Sequence, residues 1–191
     1  MELREFTSFQ QLYNEYTSKH LDKYVGQEEF EALVLSAPMF LVANADGHLA
    51  ASEISVITEH ILKMYSNDDV LPENCDNQDV SEFNYFLNDF EAWKDKFLQV
   101  LKEYISQDTE KQKLTLIMME AVANAHHHNP VTAIQLVLND HTHSDIIDGK
   151  EDLTASVKYM STIEKNTIKE IALKLGLYNN PALKNDLSRL N

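Results

Sequence analysis

Phe83, Phe86, Leu87, Phe90, Trp93, Phe97, Leu101, Tyr104 and Ile105 share one face of a helix, across a stretch without glycine or proline. A stripe of that length demands helical partners with apolar faces of their own. Most of the remaining chain has the same period. Phe6, Phe9, Leu12, Tyr13, Tyr16, His20 and Tyr24 form an N-terminal stripe, with Ser8 and Gln11 spaced as its capping box. Residues 28–45 are apolar enough for a buried helix, which Pro38 should kink or interrupt. Ile54, Ile57, Ile61, Leu62 and Tyr65 define the next helix, and residues 67–79 read as a loop. Leu114, Ile117, Met118, Ala121, Val122 and Ala125 form a further stripe. Asn129 and Pro130 open a short helix to about Leu138. Ser161 and Glu164 are spaced as a capping box before Ile168, Ile171, Ala172 and Leu175, and Gly176 marks that helix's end. Only 4 Gly and 4 Pro in 191 residues leave little turn material for a sheet. The expected fold is all-α, a single-domain helical bundle, with residues 83–105 and 161–176 each forming one helix.

The stretch VANA occurs twice, at residues 42–45 and 122–125. The first copy continues DGHLAASE. This approaches a calcium-binding EF-hand loop, with Gly47 at position 6, Asn44 at 3, Asp46 at 5, Leu49 at 8 and Glu53 at 12, while Val42 replaces the acid of position 1. Glycine permits the sharp turn, Asp46 points a carboxylate into it, and Glu53 reaches back from the next helix. Two carboxylates with backbone carbonyls and water suit a hard cation such as Ca2+. The same two acids also suit plain capping of exposed amides near a helix N-terminus.

The second copy continues into His126, His127 and His128, with His141 and His143 beyond, flanked by Asp140 and Asp145. Two histidine groups separated by a short helix suit Zn2+, Ni2+ or Fe. Protonated histidines at a helix C-terminus also complement its dipole with no metal. His20 and His60 fall within helical patterns and read as core-edge residues. Cys75, alone, forms no internal disulfide.

These features resemble the tellurite-resistance TerB family. Ala45, Asp46, Gly47, Leu49 and Glu53 match its small–Ala-Asp-Gly…Glu signature. Glu164, Ile168, Ile171, Ala172, Leu175, Gly176 and Leu177 match its ending, and residues 83–90 its central helix. The resemblance spans roughly residues 28–180, discontinuously. It implies two pseudo-repeated halves, a divalent cation at the acidic corners, a role in tellurite or chemical-stress response, and no enzymatic activity. Aligning the VANA stretches sets His126 against Asp46 and Glu164 against Glu53, with an insertion at about 127–160. The second Asp-Gly is absent from its place, with Asp148-Gly149 as a displaced alternative. Ala50 stands where the family often has a capping Ser. Residues 1–26 form an N-terminal helical extension outside the resemblance, and 27–191 the family-like domain.

A net charge of −15 disfavours nucleic acid and favours cations or basic protein surfaces as partners. No apolar run approaches membrane-spanning length, and the mixed-charge N-terminus is unlike a secretory signal, so a cytoplasmic location is expected. The candidate metal ligands are therefore Asn44, Asp46 and Glu53 for Ca2+, and His126, His128, His141, His143 and Glu164 for Zn2+ or another transition metal. Three functions follow: a non-catalytic cation-binding module, a helical metalloenzyme with a His/carboxylate site, and a metal-free protein-interaction module.

Overall fold

A computed structural model describes residues 2–20, 25–65, 77–125, 133, 137 and 157–191, with the backbone alone for 60–65 and 77–89. These residues form an all-α fold. Its helices are α1 (Thr7–Lys19), α2 (Gln27–Ala43), α3 (Ala51–Tyr65), α4 (Asn77–Ile105), α5 (Thr109–Asn124), α6 (Thr162–Leu175) and α7 (Lys184–Arg189), with no strand among the described residues. Among the described residues, no helix is long and apolar enough to cross a membrane.

The centre is built on α2 and α5. Both are buried all round in their C-terminal halves, residues 36–40 of α2 and 116–124 of α5 without a break. A helix apolar on every side needs partners on every side. α2 packs against α3, α4, α5 and α6, and α5 packs in turn against α3 and α6. Each VANA stretch thus ends a central helix, and α2 also touches α6 while α5 touches α3.

At Pro38 one of two expected outcomes, an end to the helix, is ruled out, and the start of the fourth helix is corrected. α2 runs through Pro38 without ending, although proline removes an N–H and crowds the preceding turn, at a general cost of about 3 kcal/mol. Packing on all sides offsets that cost. The segment 67–79, read as a loop, yields to helix at Asn77, so α4 is longer than its apolar stripe.

α1 belongs to the same core. Phe9 and Tyr16 meet Phe30 of α2 with ring centroids 5.4 and 5.1 Å apart, and Tyr16 meets Trp93 of α4 edge-on at 4.9 Å. Its expected capping box is absent. The helix starts at Thr7 after Phe6, which supplies no side-chain cap, and the Ser8 hydroxyl is buried without a hydrogen-bond partner. The chain has already turned at a 3-10 turn over Leu3–Glu5, so Ser8 lies one residue inside the helix, where its hydroxyl does not cap. His20 is buried and stacks on Tyr16 at 4.2 Å, with Nδ1 2.8 Å from the Tyr16 carbonyl.

α6 is delimited by local chemistry. The Glu164 N–H donates to Ser161 Oγ (3.2 Å), and the Ser161 N–H donates to Glu164 Oε2 (2.6 Å). Gly176 ends it at φ +77°, a left-handed conformation that favours glycine. Short 3-10 turns at Leu177–Asn179 and Pro181–Leu183 then return the chain to α7.

Candidate functional site

The α2–α3 corner is built from backbone bonds first. The Asn44 N–H donates to the Phe40 carbonyl (3.0 Å), Ala45 to Val42 (3.1 Å) and Gly47 to Asn44 (3.1 Å). These bonds wind the helix end into a tight turn. Gly47 lies at φ +80° with open space where a Cβ would stand, so glycine is required there by backbone conformation alone. Asp46, exposed, accepts the His48 N–H on Oδ1 at 2.8 Å. This is an Asx turn, which fixes the carboxylate over the loop. Glu53, in the first turn of α3, folds back so that Oε2 accepts the Ala50 N–H at 2.7 Å. Its side chain is buried, with the residue 1% exposed.

Asn44, Asp46 and Glu53 therefore belong to one corner, and both acids perform the capping that helix ends require. A carboxylate has about four acceptor directions, so capping an amide and ligating a cation are compatible roles for the exposed Asp46. Among the described residues, no group of three or more His, Cys, Asp or Glu is placed to hold a metal ion.

At the second corner α5 ends at Asn124, and the Ala125 N–H closes onto the Val122 carbonyl at 3.0 Å. Glu164 repeats the geometry of Glu53: buried, at the third position of its helix, with Oε2 on the amide three residues back. Ser161 adds the hydroxyl cap that Ala50 lacks. His126, His127, His128, His141 and His143 lie outside the described residues, as does the Asp148-Gly149 alternative. Of the short helix expected from Pro130 to Leu138, Ala133 and Val137 are described, both helical and buried.

The sequence reading missed a buried ionic cluster beside this second corner. Glu120 of α5 is fully buried, and Arg189 of α7 reaches it with Nη2 3.8 Å from Oε2. The same Nη2 is 3.1 Å from Oδ1 of Asp186, also buried. One turn further along α5, Asn124 donates Nδ2 to the Glu120 carbonyl at 2.8 Å. The available signal was the single acid inside the apolar run LIMMEAVANA.

No protein-family model, curated protein or solved structure matches the chain.

Proposed function

We propose that the chain is a non-catalytic helical module that binds a divalent cation, Ca2+ foremost, at the α2–α3 corner and acts in a tellurite or chemical-stress response in the cytoplasm. The observation that carries this reading is Glu53. A carboxylate 1% exposed, turned back toward an Asp-Gly turn, is the arrangement in which position 12 of a calcium loop serves. The resemblance of Ala45, Asp46, Gly47, Leu49 and Glu53 to the TerB signature supports it. Protein partners rather than nucleic acid suit the charge of −15.

With Val42 in place of the first acid, affinity falls at the weak end of calcium sites, about 10⁻⁴–10⁻³ M. Binding to the folded state alone stabilises it by about 2.7 kcal/mol at a hundredfold excess over the dissociation constant. Thermal melting with Ca2+ titrated in, for wild type and Glu53→Gln, tests the site. A rise in melting temperature in wild type that shrinks in the variant is expected. An equal rise in both means diffuse screening of net charge and removes the site.

A metal-free interaction module is favoured by a different observation: Asp46 and Glu53 each cap an amide with no cation required. Elemental analysis of untagged protein separates the readings. Stoichiometric transition metal instead points to a His/carboxylate metalloenzyme. No metal and no calcium response leaves the interaction module.

A further inference from the structure

The charge of the chain is unevenly distributed. Residues 157–191 contain six Lys or Arg against three acids, a balance of +3, while residues 1–156 carry −18. Burial sharpens the contrast. Glu164 and Asp186 are buried, and Arg189 is enclosed with Asp186 and Glu120. The surface is left with Lys158, Lys165, Lys169, Lys174 and Lys184 against Glu170 alone.

Apolar exposure concentrates in the same segment. Of five large hydrophobic residues exposed among the described residues, four are here: Tyr159, Ile163, Leu173 and Tyr178. α6 buries Glu164, Ile168, Ile171, Ala172 and Leu175 on its inner side. Ile163 and Leu173, 53% and 69% exposed, stand on the outer side about 15 Å apart along the axis. Tyr159 precedes this helix and Tyr178 follows it, both exposed. By helical spacing Lys165 and Lys169 flank one edge of this side and Lys174 the other. Lys174 is tied to Asp95 of α4 at 2.7 Å, whereas Lys165 and Lys169 make no ion pair among the described residues.

We infer that the outer face of α6 docks an acidic amphipathic helix of a partner protein, with leucine-type side chains on Ile163 and Leu173 and carboxylates on Lys165 and Lys169. Charge complementarity selects this occupant. A basic face on a molecule of net −15 attracts acidic groups locally, while a second whole copy meets the repulsion of two such charges. An anionic membrane meets that repulsion over a wide area of the acidic molecule, whereas a single helix meets only the basic segment 157–191. The partner surface is thus opposite in sign to the one net charge implies. The inference does not depend on the cation corner.

The probe is a synthetic labelled helical peptide with leucines at i, i+3, i+7 and i+10 and glutamates between, beside a scrambled peptide of equal composition. Binding is read by fluorescence anisotropy on the full chain. The expected result is binding to the patterned peptide, weakened about tenfold by scrambling and by Ile163→Glu with Leu173→Glu, since a few buried anchors carry most of the affinity of such a contact. Lys165→Glu with Lys169→Glu should weaken it similarly and remove its dependence on salt. All four positions lie on the surface, and circular dichroism checks that the variants stay helical. No binding to the patterned peptide, equal binding to the scrambled one, or binding unchanged by both variants overturns the inference. So does α6-dependent capture by phosphatidylserine vesicles, or α6-dependent dimerisation in sedimentation, with the peptide ignored.

Discussion

The two acids that the repeat sets in register, Glu53 and Glu164, make the same bond to the amide three residues back, and that much is local chemistry. Caps are readable in a sequence because donor and acceptor lie within one turn. Ser161, Glu164 and Gly176 all took their expected capping roles, whereas Ser8 did not, because the helix starts two residues earlier than the spacing suggests. Glu120 was illegible for the opposite reason. Its partner Arg189 lies 69 positions away, and only the folded chain brings them together. That cluster sets two buried carboxylates against one guanidinium, so removing the guanidinium breaks a buried ion pair with each of them. Arg189→Ala is expected to cost about 3–5 kcal/mol in urea denaturation. A cost under about 1 kcal/mol, the range of an exposed pair, would show that solvent reaches the site.

Among elements, the long stripes predicted α4 and α6 because period and burial coincide there. The start of α4 was missed because residues 67–79 read as a loop by composition, and composition does not place a helix boundary. The joints between helices carry a pH signature. The Lys96 ammonium holds Glu15 of α1 below the usual carboxylate range, with Lys19 adding to it, and Lys174 of α6 holds Asp95 of α4 down in the same way. The Lys111 amide lowers Asp108 at the head of α5. A carboxylate depressed in the folded state contributes stability that is present above its unfolded value, about 4, and lost as pH falls through the folded one. Glu31, raised by burial against the pull of Arg4, has the opposite sense, and its contribution declines as pH rises through its folded value. The melting temperature should therefore fall as pH drops from about 4 toward 2. Lys96→Met with Lys174→Met should flatten that fall; an unchanged profile would place the acid sensitivity elsewhere.

For the molecule as a whole, α1, which lies outside the family resemblance, closes the core over Phe30, Trp93 and Phe97. Aromatic stripes announce that a helix is buried without saying against what. Tyr16→Ala should cost about 3–5 kcal/mol, as for other large buried aromatics, and loosen α1 ahead of the remaining helices. The molecule carries its own means of showing this. Trp93 is its single tryptophan, buried at the α1–α4 joint, with the ammonium groups of Lys19 and Lys96 each 5.0 Å from its ring. Indole emission moves to longer wavelength when water replaces such surroundings, so the protein's intrinsic fluorescence reports the docking of one helix. In Tyr16→Ala the emission should redden at a lower temperature than the one at which far-ultraviolet ellipticity is lost; coincident transitions would mean that α1 leaves only when everything else does.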